Sequence, residues 1–411
     1  MLSKKGKKKI SGSKLSFRVP LMKKTFIKEN LMRPALANFL LKSEKLSMGK
    51  NCFDFELAFA KKQGRKEAIL FNSGGSANLA TIQALKNLGR LSDNDKVGFT
   101  ALTWSTNVMP ILQLGLKAIP MDCNPKTLNT MSEQTIDALE REHCKALFIT
   151  NVLGFAGDLE EIKKRCDERG IILLEDNCES LGTELHSGKT GNFGLASSFS
   201  FFVAHQMSTV EGGMVTTDDR DFAEMLRIVR ANGWDRNLSP NRQNFWRKKF
   251  GVQNVFQASY TFYDLGFNFR PTEITGFLGL KQLSWLDESI NIREKNFLYL
   301  SREIKKNPDF INLEYSRIKK LSAFAIPFVC KTKELRDKYV KKFTVAGIEV
   351  RPMIAGNIQL QPFYKKYINI TRYLPGADFL HNNSFYCGNC PDYTAEDLKI
   401  IINAIKTKGR D

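Results

Sequence analysis

Short, unbroken apolar runs alternate with stretches of helical period through the first 220 residues. The runs are Glu67–Asn72 (EAILFN), Val97–Thr100, Ala118–Met121, Ala146–Thr150 (ALFIT) and Ile171–Glu175 (IILLE). Between and before them, Glu56–Lys62, Leu79–Asn87 and Leu159–Arg169 carry the amphipathic spacing of helices. Strands apolar on both faces, separated by helices, predict βαβ units and a mainly parallel sheet covered on each side. Ser198–Phe202 and Gly213–Thr217 read as further strands of that sheet. A helix rich in Leu and Glu begins near Thr272 and runs, with a break allowed for, to about Ile304. Beyond it the pattern predicts a strand over Ala323–Cys330, a helix over Lys333–Ala346, a strand over Ile348–Arg351 and a closing helix over Thr394–Lys406. The expected organisation is a leader at 1–30, a large domain at 31–285 and a smaller C-terminal α/β domain at 286–411.

A chain of 411 residues suits such a two-lobed α/β architecture. No apolar run approaches the roughly 20 residues that cross a bilayer. The head carries Lys4, Lys5, Lys7, Lys8 and Lys9 but lacks the apolar segment of a secretory signal, so it reads as a solvated, partly disordered leader of a cytoplasmic protein. The net charge of +19 raises a nucleic-acid reading. The lysines are spread over the whole length without a nucleic-acid motif, which argues against it. Eight cysteines in a cytosolic chain read as reduced thiols. Cys387 and Cys390 have metal-ligand spacing, but zinc needs four ligands and no second pair or His cluster accompanies them, so no metal site is expected.

Three segments carry chemistry. Ser73-Gly74-Gly75-Ser76 follows a strand and opens a helix, which directs several backbone N–H groups and a positive dipole end at one spot. The segment fits an anion site, and it fits an ordinary Gly-Ser turn as well. Glu175-Asp176-Asn177-Cys178-Glu179 ends the IILLE strand, where ligands of open parallel sheets bind. A carboxylate there needs a cationic partner such as a protonated pyridine nitrogen, or else serves to cap the next turn. The third segment, Ser198 to Gly213, reads SFSFFVAHQMSTVEGG. Its His205 is either a packed, hydrogen-bonded residue or an acid–base group.

This third segment resembles the nucleotide-sugar aminotransferases, in which an SFSFF strand is followed by a lysine that tethers the cofactor and then by a Gly-Glu-Gly-Gly turn. The resemblance runs from about Met48 to the C-terminus, with its pieces in the family's order. It implies a fold type I, pyridoxal 5'-phosphate (PLP)-dependent aminotransferase-like architecture. It also implies cofactor contacts from Gly74, Gly75 and Ser76 to the phosphate, with Ser200 beside them, and from Trp104 stacked on the ring. Asp176 would meet the pyridine nitrogen, and Glu179 would lie beside the ring hydroxyl. Gly266-Phe267-Asn268-Phe269-Arg270 matches a motif whose asparagine, here Asn268, reaches the phosphate of the neighbouring subunit, so a homodimer with shared sites is implied.

In this sequence the lysine is replaced by His205, the mark of the family's 3-dehydratase branch. Two stretches resembling that branch, Glu349 to Asn357 and Phe385 to Asn389, imply substrate contacts, for which Glu349, Arg351 and Asn357 are the candidates. An imidazole cannot form the imine that lysine forms. The cofactor is therefore expected to be held non-covalently as pyridoxamine phosphate, with His205 the acid–base residue for loss of the C3 hydroxyl from a nucleotide-linked 4-keto-6-deoxy sugar. One type within the branch regenerates its cofactor from glutamate. Another carries an iron–sulfur cluster on cysteines just after a motif like Gly233-Trp234-Asp235-Arg236. Here Asn237 to Gln243 contains no cysteine, so the glutamate cycle is expected. An aminotransferase and a non-catalytic nucleotide-sugar-binding relative are the alternatives. The resemblance places the product in a cell-surface polysaccharide pathway such as lipopolysaccharide biosynthesis.

Overall fold

A computed structural model describes residues 17–406. The basic run from Lys4 to Lys9 lies outside the described residues. The central sheet has seven strands in the order β1-β9-β8-β5-β4-β2-β3. They are β1 (Glu67–Phe71), β2 (Lys96–Thr100), β3 (Lys117–Met121), β4 (Ala146–Thr150), β5 (Ile172–Asp176), β8 (Ala196–Ser200) and β9 (Gly213–Thr217). Neighbours from β3 to β8 pair in parallel, and β9 runs against both β8 and β1. The carboxyl ends of β1, β2, β5 and β8 therefore share one edge. Small hairpin strands β6 (Glu184–Leu185) and β7 (Gly188–Lys189) form a separate three-stranded sheet with β10 (Ile318–Lys320).

The second domain is built on an antiparallel sheet of β11 (Ala325–Val329), β13 (Ser384–Gly388) and β12 (Val350–Pro352), with helices Lys333–Val345 and Ala395–Ile405 against it. Its core continues into the large domain through Leu102, Val152, Leu153 and Phe155, so the lobes share apolar packing. Cys387 sits inside β13 and Cys390 just beyond it. Both are buried free thiols whose ionisation burial pushes up.

Several boundaries differ from the sequence pattern, each for a physical reason. The helix after β1 starts at Gly74 rather than Leu79, because Ser73 caps it by accepting from Ser76 N–H at 3.1 Å. Thr272 likewise caps the long helix Glu273–Lys305, accepting from Thr275 N–H. That helix is continuous over 33 residues, about 50 Å long. Leu286 and Ile290 pack in the large domain, whereas Phe297, Leu300 and Ile304 enter the core of the small one. The expected boundary at 285/286 thus falls within a rigid element. A helix over Glu29–Lys42 escaped the periodicity, its apolar side interrupted by Pro34.

Residues 17–30, assigned by composition to the leader, are packed. Val19 is fully buried and bridges to Ile348, and Phe26 is buried. Lys23 pairs with Asp397 at 2.5 Å, and Tyr393 donates its hydroxyl proton to Pro20 O at 2.6 Å. This strap explains why lysines occur there: Lys23 and Lys24 meet Asp397 and Asp392 of the small domain, and Lys28 meets Glu288 on the long helix.

Among the described residues, the ion pair of Arg230 and Glu56 is buried on both sides. Arg230 Nη1 contacts Glu56 Oε1 at 2.5 Å and Leu70 O at 2.7 Å, and Leu70 N–H donates to the same carboxylate at 2.8 Å. The pair locks the helices Lys50–Gln63 and Arg220–Arg230 onto β1. Replacing Glu56 by Ala strands a guanidinium with no exposure, and urea denaturation should show a loss of about 3–5 kcal/mol.

Candidate active site

The shared strand edge gathers most of the residues selected from sequence. Asp176 ends β5 and is 3% exposed. Its Oδ2 accepts from Asn78 Nδ2 at 2.9 Å and Asn107 Nδ2 at 2.8 Å, and its Oδ1 accepts from Cys178 N–H at 2.9 Å. The carboxylate is thus aimed and immobilised. Asn78 lies one turn into the helix that Gly74 opens, so the anion turn and the carboxylate are joined through that helix.

Gly74 and Gly75 stand at the N-terminus of this 14-residue helix. A Cβ on Gly74 would lie 2.7 Å from Ser200 Cβ and 3.3 Å from Cys178 Sγ, and one on Gly75 would lie 3.2 Å from Thr106 Cγ2. The Ser200 hydroxyl at the end of β8 therefore meets the helix N-terminus where a side chain would intrude, and the Ser76 hydroxyl accepts from Ser73 Oγ–H at 3.0 Å in the same turn. Trp104 follows β2 and is 58% exposed, leaving its indole free to lie against a planar ligand. A phosphate in the glycine cradle, a protonated ring nitrogen at Asp176 and a ring beside Trp104 match these groups in charge and chemistry, so the residues present fit a pyridoxal-type cofactor.

Glu179 is half-buried, and its Oε2 accepts from Leu153 N–H at 2.8 Å. Leu153 holds the left-handed region at φ 55°, which turns that N–H toward the carboxylate. Burial, with the Asp176 charge nearby, raises the Glu179 carboxyl to about 8. The same burial and the same neighbour push the Cys178 thiol up.

His205 sits in the turn after β8, its N–H donating to Phe202 O at 2.9 Å. The ring lies between Phe202 and Phe324, at centroid distances of 6.2 and 5.4 Å. The following residue, Gln206, donates to Glu179 O at 2.5 Å, which ties this turn to the Asp176 loop. Burial and the charge of Arg293 hold the imidazole down at about 4, so it is neutral around pH 7. Lys189, the nearest preceding lysine, is spent elsewhere and donates to Lys62 O.

The remaining candidates are placed less directly. Arg351 is exposed on β12, opposite Tyr386 on β13, and pairs with Glu349. Glu349 also accepts from Leu21 N–H at 2.8 Å, so it serves the strap. Asn357 differs from the substrate-facing expectation. It is 1% exposed, accepts from Gln359 N–H at 3.1 Å and donates to Asp378 at 2.8 Å, so its amide is used at both ends by the chain itself. Asn268 is exposed on the segment that bridges to Ala231, and the next residue's carbonyl, Phe269 O, accepts from Asn72 N–H at 3.0 Å.

Residues that sequence reasoning did not select include Asn107, Gln206 and Arg293, and Tyr386 was covered only as part of the stretch Phe385 to Asn389. Tyr386 feels the charge of Glu179, which links the small domain to the strand edge. Asn107 lies in a single turn after Trp104 with no local signal at all. Asn78 lies two residues beyond the Ser73–Ser76 turn, and helical spacing from Gly74 could have flagged it. Among the described residues no group of three or more His, Cys, Asp or Glu is arranged to hold a metal ion, and no helix is long and apolar enough to cross a membrane.

A fold type I sheet with this edge is that of a PLP-dependent enzyme, and the chain belongs to the DegT/DnrJ/EryC1/StrS aminotransferase family, whose sequence model matches residues 30–406. Within it, the chain is similar to GDP-4-keto-6-deoxy-D-mannose 3-dehydratase of Escherichia coli O55:H7, 35% identical over 373 residues, covering 88% of this chain and 95% of that protein. The solved E. coli GDP-4-keto-6-deoxy-D-mannose-3-dehydratase with bound hydrated PLP superposes with a TM-score of 0.87 at 32% identity, over 95% of this chain and 100% of that one. A structure of GDP-4-keto-6-deoxymannose-3-dehydratase with a trapped PLP-glutamate geminal diamine gives 0.86 at 32% identity, over 94% and 100%.

The raised Glu179 carboxyl generates a pH-dependent stability. From the ordinary value of 4.5 up to about 8, the unfolded chain ionises before the folded one, so stability falls as pH rises through that window. Glu179→Gln keeps an acceptor for Leu153 N–H. Without cofactor, it should melt higher than the parent near pH ~8.5 and level with it near pH ~4.5; identical melting curves at both would refute the raised carboxyl.

Proposed function

We propose that this chain removes the C3 hydroxyl from a nucleotide-diphosphate-linked 4-keto-6-deoxyhexose, using pyridoxamine phosphate that is regenerated from glutamate. The observation that carries the reading is His205, a neutral imidazole in the turn after β8, at the sequence position where the family's aminotransferases have their tethering lysine.

The cofactor, when bound, supplies a primary amine for the sugar ketone and a ring that accepts electrons. The chain's own groups account for the rest. The cradle of Gly74, Gly75, Ser76 and Ser200 would hold the phosphate non-covalently. Asp176, fixed by Asn78 and Asn107, would keep the ring nitrogen protonated and so maintain its pull on electrons. His205 is uncharged around neutrality and can take a proton beside the cofactor, then hand one to the departing hydroxyl. Glu179, held up at about 8, can present a proton to the oxygen on the ring. Arg351 is an exposed cation suited to the diphosphate. Glu349 acts through Arg351 by orienting it. The lipopolysaccharide assignment follows from relatives, among them the "Lipopolysaccharide biosynthesis protein RfbH" of Salmonella typhimurium, 31% identical over 85% of this chain.

The purified protein, given pyridoxamine phosphate, glutamate and GDP-4-keto-6-deoxymannose, should yield a sugar lighter by one oxygen function, read by mass spectrometry. His205→Lys should lose dehydration by at least about a hundredfold or divert to amination. An aminated sugar from the parent protein would instead establish an aminotransferase.

The functional unit in this reading is a dimer. Val255, Phe256, Phe262 and Leu265 are 80%, 86%, 57% and 71% exposed, an apolar face near the Asn268 segment that a second copy would cover. Light scattering should give twice the 46.7 kDa chain mass, and Phe256→Glu should shift the protein toward one chain. A monomeric parent protein would remove Asn268 from the site.

A further inference from the structure

Between β10 and β11 the chain runs through Ser322, Ala323 and Phe324, which belong to no strand or helix. Ser322 and Ala323 have no exposure, and groups from distant parts of the molecule hold the peptides of this segment. Thr183 Oγ1 accepts from Ser322 N–H at 3.1 Å, and Gln206 Nε2 donates to Ser322 O at 3.3 Å. Asn389 Nδ2 donates to Ala323 O at 2.9 Å. Phe324 N–H donates to Leu153 O at 3.0 Å, and Arg293 Nη1 donates to Phe324 O at 3.0 Å. The anchors are themselves braced. Leu153 donates its own N–H to Glu179, and Gln206 donates to Glu179 O. Arg293 and Asn389 bond to each other in both directions, at 2.7 and 2.9 Å. A buried backbone outside regular structure must find such partners elsewhere, and here they fix every residue of the segment.

What the segment presents is the half-buried Phe324 ring. Its centroid lies 5.4 Å from that of His205, the planes tilted by 40°, and 6.5 Å from that of Tyr386. The imidazole's other aromatic neighbour is Phe202, whose carbonyl also accepts the His205 N–H. Among the described residues none hydrogen-bonds to either ring nitrogen of His205, and Nδ1 is buried without a partner. Many functional histidines are aimed by a carbonyl or carboxylate on one ring nitrogen. In this chain the aim falls to the two phenyl rings.

We infer that Phe324 is a positioning residue for His205: a phenyl wall, fixed through its own main chain, that sets the direction of the imidazole. Phe202 belongs to the turn of His205 and moves with it. Phe324 is held by Leu153 and Arg293, outside that turn, and so supplies an independent reference. A reacting group displaced by about 1 Å can lose on the order of a hundredfold in rate, so the placing of this wall bears on turnover. Its anchoring bonds are all main-chain, which means the ring can be removed while the segment stays tied.

This inference rests on the reading of His205 as the base, but two of its tests need no turnover. In full-length protein with ¹³C-labelled histidine and phenylalanine, His205→Asn and Phe324→Leu identify the two rings among four histidines and 30 phenylalanines. The parent protein should show a nuclear Overhauser contact between the His205 and Phe324 rings; its absence overturns the proposal. Phe324→Ala opens the imidazole to water. Arg293 keeps its charge beside the ring and Glu179 its bond to Gln206, so the change isolates burial. Burial is the larger cause holding the imidazole down, so its titration midpoint should climb from about 4 toward the ordinary 6.5. An unmoved midpoint counts equally against the wall.

In turnover, Phe324→Ala should lower kcat about tenfold or more with KM changed less than twofold. Phe324→Leu, which keeps most of the bulk, should stay within about threefold of the parent. Equal losses in both variants, or a loss confined to KM, would reject the positioning role. If the alanine variant does not fold, the ring contact in the parent protein still decides. Should the parent not dehydrate the sugar, the proposed reaction fails, while the ring contact and the His205 midpoint judge this inference by themselves.

Discussion

Everything at the strand edge depends on satisfying three polar side chains in succession where β5 ends among apolar neighbours. Glu175 is fully buried, and its two oxygens accept from the N–H groups of Gly191, Phe193 and Gly194 at 2.7–2.8 Å. Asn177, also fully buried, donates to Ser197 Oγ at 2.7 Å and accepts from Asn151 and Ser180 at 2.8 and 2.7 Å. A carboxylate or amide in such surroundings is expensive unless bonded, so these partners are obligatory. Because side chains alternate along a strand, Glu175 and Asn177 anchor one side of the strand end while Asp176 is turned to the other. The Asp176 carboxylate is thus aimed by neighbours anchored on the opposite side of the strand end.

The titratable groups around that carboxylate are arranged to remain uncharged. Burial moves the Glu179 carboxyl up and the His205 imidazole down, with Asp176 and Arg293 pushing in the same senses as burial. The Glu179 carboxyl keeps its proton near neutrality and the His205 imidazole does not take a second one.

The sheet was legible because each of its buried strands is a short apolar run, and a parallel sheet leaves little room for any other pattern. Asp176, Ser200 and the Gly74 turn were legible for a related reason: polar residues and glycines abruptly end those runs. What stayed hidden was whatever depends on distant partners. Asn107 supports Asp176 from 69 residues away, and Arg293, in the middle of the long helix, acts on His205 through its charge. Asn357, chosen from its place in a motif, is a cap and a tether, a role that its neighbours in space define. Composition misjudged the strap because Lys23 and Lys24 meet their carboxylates more than 360 positions later.

That last separation bears on how the chain is made. Lys23 and Asp397 lie 374 positions apart, and Tyr393 reaches Pro20 across 373. A nascent chain emerging from the ribosome can assemble its central sheet long before these partners exist, since domains tend to form in order of synthesis. Val19 must then wait, uncovered, until Ile348 and the small-domain core around it have been translated and folded, whereas Phe26 finds its partners earlier, on the helices Glu29–Lys42 and Glu273–Lys305. Seating the strap is therefore among the last steps of maturation, and a prematurely terminated product would display that apolar segment to chaperones and proteases.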